Sequence, residues 1–195
     1  MQSTSQTYDN RQPGETRNGN WMQTYSGIQF WPLDPRPDEI CIQDIAHALS
    51  NMCRYAGHCR GFYSVAEHSI LVSQVVPEEH AFAALMHDAT EAYLVDVPRP
   101  IKGYLGGYHE YEDALWRAVC ERFQLDVELP ACVKAADNSV LLAEAEQVMG
   151  PKPAPWNIEG SPAYVTVKFL TPVIAKSRFL TRFDELYQQH IARMS

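Results

Sequence analysis

The sequence predicts a mostly α-helical bundle with a small N-terminal β-hairpin. Apolar residues recur three and four positions apart over most of the chain, and helix start and stop signals bracket those segments. Alternation around a turn occurs once, near the N-terminus. At 195 residues and 46% hydrophobic content, the chain is sized for one domain with a single sizeable core. Residues 1–20 are polar, with almost nothing to bury, and read as a loose, disordered tail, while 21–195 read as a single domain.

The stretch WMQTYSGIQFW, residues 21–31, alternates around Ser26-Gly27 and predicts the hairpin, which the proline-rich WPLDPRP then stops. From Asp44 to Tyr55, residues Ile45, Leu49, Met52 and Cys53 fall at helical spacing, and Gly57 closes the segment. Ser64 and Glu67 match a capping box, so a helix is expected from Val65 to about Val76. Pro77, followed by Glu78 and Glu79, opens another helix that should continue through His87 and Asp88 until DVPRP breaks it. Tyr108 to Phe123 and Pro130 to Met149 are two more helical segments, the second stopped by Gly150-Pro151. Beyond the connection GPKPAPWNIEGSP, a short strand is expected at Tyr164 to Phe169. Thr171-Pro172 then opens a terminal helix with Phe179, Leu180, Phe183, Leu186, Tyr187 and Ile191 on one face.

A net charge of -8 argues against a nucleic-acid partner or an anionic membrane surface, since both require a basic face. No run of 18 apolar residues is present and the N-terminal stretch lacks a signal-peptide core, so a cytoplasmic location is expected. The five cysteines (Cys41, Cys53, Cys59, Cys120, Cys132) are odd in number and form no CxxC pair. They read as reduced thiols, mostly buried.

Function is signalled by polar residues on faces that should be apolar. Val65, His68, Val72 and Val75 share one stripe of the capped helix, so His68 points inward. Val133, Asp137, Val140 and Leu141 share a stripe of a later helix, so Asp137 does too, while His87 and Asp88 lie in a segment apolar nearly all round. An ionised carboxylate in such surroundings is disfavoured unless a cation or several donors compensate it. Taken singly, a buried histidine is usually a satisfied core residue, and Asp137 would pair with Lys134 or Arg182. Two histidines and two aspartates together on three helices point instead to a metal site.

A histidine, then an adjacent His-Asp, then a distant aspartate resembles the HD-domain phosphohydrolases. RYAGHCRGFYSVAEHS, ALMHDATEAYLVDVPRPIK and KAADN resemble the 5'-deoxynucleotidase branch and the related phage dATP triphosphohydrolases, over about Phe30 to Glu144. The resemblance implies an HD-domain helical bundle with His68, His87, Asp88 and Asp137 as metal ligands. It further implies Glu91 as the catalytic glutamate of HDxxE, Asp96 as a catalytic-site aspartate and Arg54 as the arginine on phosphate. Tyr55 stands where several relatives have a tryptophan against the sugar or base. The implied activity is cleavage of the 5'-phosphate ester of a small-molecule deoxynucleotide by water attack at the α-phosphorus, in a homo-oligomer. The substrate would be a triphosphate, dATP favoured, or a monophosphate; a non-catalytic nucleotide-binding or sensing module is the alternative.

Mixed nitrogen and oxygen ligation without thiolate suits one divalent transition metal (Mn, Co, Fe, Ni or Zn) better than Mg or Ca. Glu91, four residues after His87 and three after Asp88, is spaced to project near it and carry a proton. Arg54 and Lys102 are the expected phosphate contacts, with Tyr55 and His58 beside them as further candidates for substrate. His58, Arg60 and Arg99, each taken singly, also read as solvated surface charges.

Overall fold

The computed structural model describes residues 13–194. The hairpin pairs β1 (Met22–Gln23) with β2 (Gln29–Phe30) antiparallel, Met22 opposite Phe30. Gly27 supplies the left-handed turn residue at φ +88°, in the place the sequence indicates. Phe30 is fully buried and stacks on Tyr93 at 4.2 Å between ring centroids, while the Ser26 amide and hydroxyl donate to Asp44 at 2.6 and 2.8 Å and Tyr25 stacks on His47, so the hairpin is stitched to the helical body at its strand and at its turn. The expected loose tail lies partly outside the described residues. Within them, Arg17 is buried, ion-paired with Glu39 and 4.3 Å over the Trp31 ring, so the packed domain begins before residue 21.

The helices are α1 (Ile42–Asn51), α2 (Val65–Val75), α3 (Ala81–Met86), α4 (Glu91–Leu94), α5 (Arg99–Lys102), α6 (Tyr108–Phe123), α7 (Ala131–Val148) and α8 (Pro172–Met194). Helix α2 is the axis: every residue from Val65 to Ser73 is buried, because α1, α3, α7 and α8 cover its different faces. On one side α8 sends Ala175, Phe179, Phe183 and Leu186 into a core shared with Ile45, Leu49, Phe82 and Leu85. On the other, Tyr63 and Val72 pack with Val133, Val140 and Val148 of α7. No helix among the described residues is long and apolar enough to cross a membrane.

Five expectations need correction. Helix α1 stops at Asn51 rather than Tyr55, because Met52 is extended and Cys53 pairs with Ser64 in an isolated bridge. Ser64 Oγ does cap α2, accepting the Glu67 amide at 3.1 Å, but Glu67 does not reach back to complete the box. Its carboxylate instead accepts the amides of Lys168 (2.6 Å) and Leu170 (2.8 Å), while Gln147 Oε1 accepts that of Val167 (2.9 Å). Side chains thus satisfy the backbone where a ladder would have, and Tyr164 to Phe169 is an irregular segment outside any strand, ending at Phe169 with φ +52°. The helix expected to run through His87 and Asp88 breaks at Met86, and 87–90 form a turn before α4. The His87 ring donates from Nδ1 to the Ala84 carbonyl at 2.8 Å, the acceptor that the Asp88 amide would use if the helix continued. All five cysteines are free, but only Cys120 is buried.

Candidate metal centre

His68 projects from the middle of α2, His87 and Asp88 from the turn between α3 and α4, and Asp137 from the second turn of α7. Val75 is exposed at the end of α2, so the inward aim of His68 owes more to the complete burial of the helix than to the valine stripe. One ligand atom each from His68, His87 and Asp137 lies within 4.8 Å of the other two, a group that could hold a metal ion. Asp88 falls outside that mutual set but adjoins it: Oδ1 is 3.2 Å from His87 Nε2 and Oδ2 is 3.7 Å from His68 Nε2. Asp137 Oδ1 is 3.4 Å from His68 Nε2.

Each imidazole is oriented by its other nitrogen. His87 Nδ1 donates to the Ala84 carbonyl, and His68 Nδ1 donates to Glu144 Oε2 at 2.9 Å. Both Nε2 atoms are buried, face carboxylates, and have no hydrogen-bond partner. Two buried lone pairs and two carboxylates with no shared donor are the surroundings a cation satisfies, so the residues present fit a metal. A proton competes with a cation for the same His68 nitrogen. Burial and the Arg54 charge oppose protonation of His68, yet Glu144 and Asp137 outweigh them and raise its pKa to about 9. Burial alone would raise the Asp137 pKa, but the His68 ring 3.4 Å away, with His87 and Lys134, holds it well below the usual carboxylate range.

The chain is 41% identical over 170 residues to the uncharacterized protein YfdR of Escherichia coli (strain K12), an alignment covering 86% of this chain and 96% of YfdR. It belongs to the YfdR family. It is also 42% identical over 144 residues to an uncharacterized protein of Rhodobacter capsulatus, covering 67% of this chain and 74% of that one. No family model matches.

Glu91 opens α4, and its Oε2 is buried without a partner. Burial first, then the charges of Asp88 and Asp96, push its pKa well above the carboxylate range. Asp96 shares this field: burial and Asp88 raise its pKa against the opposing charge of Arg54. It follows Val95, a β-branched residue at φ +72°, a conformation costing about 1–3 kcal/mol.

Arg54 and Tyr55 come to the centre, but both are tied to Glu144. Arg54 Nε and NH2 reach Glu144 Oε1 at 3.0 and 2.9 Å, leaving NH1 3.6 Å from Asp88 Oδ2. The Tyr55 hydroxyl donates to the same Oε1 at 2.6 Å, and its ring lies 5.9 Å from that of Trp156. Lys102 pairs with Glu112 and sits 5.3 Å over the Tyr108 ring, and its charge also acts on Glu91 and Asp96. His58 is exposed. Arg99, read as a solvated charge, instead donates to Asp137 Oδ2 at 2.8 Å and to Asn138 at 3.2 Å. Lys134 reaches Asp137 Oδ2 at 2.8 Å, whereas Arg182 goes to Ser73.

Glu144 and Trp156 were not singled out by the sequence. The signal for Glu144 was present, because it lies seven residues after Asp137 and extends the stripe Val133, Asp137, Val140. Trp156 sits in the proline-rich connection, and no local pattern marks it.

Proposed function

We propose that this chain is an HD-type, metal-dependent phosphohydrolase that cleaves the 5'-phosphate ester of a deoxynucleotide. The observation that carries the reading is the pairing of two buried, partnerless imidazole Nε2 atoms facing Asp88 and Asp137 with a buried, partnerless Glu91 Oε2 in the field of Asp88. His68, His87, Asp88 and Asp137 would hold one divalent transition metal. When bound, such an ion offsets phosphoryl charge and makes a water more acidic.

The chain's own residues supply the rest. Water oxygen bonds to the α-phosphorus and the bond from phosphorus to the 5'-oxygen breaks. Glu91, with a raised proton affinity and no competing partner, takes a proton from the attacking water and returns one to the leaving 5'-oxygen. Asp96 is the next proton carrier in the same field. Arg54 offers NH1 to a phosphoryl oxygen, its other nitrogens being engaged by Glu144. Tyr55 and Trp156 form an aromatic pair next to Arg54, suited to the flat face of a base. Arg99 and Lys134, half-exposed or more and both at Asp137, are cations available to a longer phosphate chain, which supports the triphosphate reading over the monophosphate one.

The test is a panel of deoxynucleoside mono-, di- and triphosphates given to protein loaded with Mn, Co, Fe, Ni or Zn, with every product identified. Deoxynucleoside plus intact triphosphate marks a triphosphohydrolase, and deoxynucleoside plus orthophosphate from the monophosphate marks a nucleotidase. Nucleotide binding without turnover under every metal would overturn the enzyme reading in favour of a sensing module.

A further inference from the structure

Glu144 is fully buried on α7, one turn from the buried Val140 and Val148, where an ionised carboxylate is tolerated only with donors on both oxygens. It has them from four residues. Oε1 accepts Arg54 Nε at 3.0 Å, Arg54 NH2 at 2.9 Å and the Tyr55 hydroxyl at 2.6 Å. Oε2 accepts the Tyr63 hydroxyl at 2.6 Å and His68 Nδ1 at 2.9 Å.

The two oxygens do different things. On Oε2, an acceptor opposite Nδ1 makes that nitrogen the donor and leaves the Nε2 lone pair facing Asp88 and Asp137. An amide nitrogen at the same place would favour the other tautomer, whose Nε2 hydrogen would obstruct the centre. On Oε1, the carboxylate anchors Arg54 and Tyr55 at the mouth of a turn in which Tyr55, Ala56 and Gly57 all have positive φ (56°, 50° and 82°). Two of these are not glycine, so the turn requires tertiary bonds to hold it. The Tyr55–Glu144 and Arg54–Glu144 bonds are such bonds.

We propose that Glu144 is a positioning residue that couples the two halves of the site, setting the His68 tautomer for a metal ion through one oxygen and the Arg54 turn for a phosphate through the other. The proposal rests on the metal-centre reading above and is separable from it by experiment. The full chain and its Glu144→Gln, Glu144→Asp and Tyr55→Phe variants are titrated with Zn²⁺ against a chromophoric chelator. The Zn²⁺-loaded proteins are then titrated with inorganic triphosphate, and circular dichroism checks folding.

Glu144→Gln should weaken Zn²⁺ about 10- to 100-fold, the cost of losing a partner that orients a ligand, and weaken triphosphate as well. Tyr55→Phe should weaken triphosphate alone. Glu144→Asp keeps the charge but loses reach, and serves if the glutamine variant fails to fold; it should weaken at least one of the two ligands. A folded Glu144 variant with both affinities within threefold of the parent overturns the coupling. If the parent chain itself does not bind Zn²⁺ or any metal of the panel above, the metal-centre reading fails and takes this proposal with it.

Discussion

Two glutamates flank the same centre and are opposites. Glu144 is saturated, with donors on both oxygens, and Arg54 and His68 overcome burial to hold its pKa well below the usual range. Glu91 is half-buried with its buried Oε2 partnerless, and desolvation with the nearby charges of Asp88 and Asp96 drives its pKa the other way. The same side chain is thus made a fixed anion on one side and a group of raised proton affinity on the other. The difference lies in the count of donors and the sign of the neighbours.

The contrast is broken most severely at Glu91. Glu91→Gln keeps shape but cannot carry a proton, so turnover should fall by about 10²- to 10⁴-fold while metal content is retained. Single-turnover kinetics of the metal-loaded variant, with metal analysis, checks this. Near-normal turnover would move the role to Asp96. Removing an anchor shared by both sides is the next largest effect. Asp137→Ala should lower metal affinity by more than about 100-fold, because losing a ligand exceeds the 10- to 100-fold cost of losing a supporting partner. Chelator competition measures it, and unchanged affinity would sink the ligand assignment.

On the saturated side, Arg54→Lys keeps the charge and loses the fork that grips Glu144 through Nε and NH2. Stability should fall by about 1–3 kcal/mol in urea denaturation, the cost of leaving buried charge under-bonded. Phosphate-end affinity should fall with it, and a variant unchanged in both would remove Arg54 from the network.

The smallest effect concerns pH. The folded pKa of Glu91 lies above its unfolded value, so the folded state holds the extra proton between the two and loses stability as pH rises through that window. Glu91→Gln should therefore raise the melting temperature of metal-free protein near neutral pH, by about 2–4 °C for each kcal/mol released, and flatten its decline with pH. Melting curves across pH 4 to 8, roughly spanning the window a raised carboxylate would occupy, test the sign. A lower melting temperature for the variant would mean that Glu91 has a stabilising partner.

Much of the framework was legible because it depends on local periodicity. The apolar spacing and Ser64 cap located α2, and α6 runs over Tyr108–Phe123 as the spacing indicates. Asp137 was legible for the same reason, a polar residue on an apolar stripe, whereas His68 is buried because α2 is covered on every side. The reading failed where a side chain competed with the backbone. His87 takes the Ala84 carbonyl and ends a helix, and Glu67 and Gln147 take the amides that would have made a strand of Tyr164 to Phe169. For Lys102 the charge was legible but not its partner, because Glu112 lies on α6, ten residues further along the chain.

By itself the sequence determined which elements form, which faces are buried and which polar residues those faces carry inward, because these follow from residue type and a spacing of a few positions. Only the tertiary structure decided what each inward group meets. Glu144 and Arg54 are 90 residues apart in the chain, yet their bond settles which nitrogens of the arginine remain free. Glu91 and Glu144 are chemically identical, and neither composition nor period says which one is surrounded by donors. That depends on four donors arriving from α2, its preceding loop and the Arg54 turn at one point in space. In a buried site such distances, more than residue type, decide whether a carboxylate is held as an anion or left able to exchange a proton.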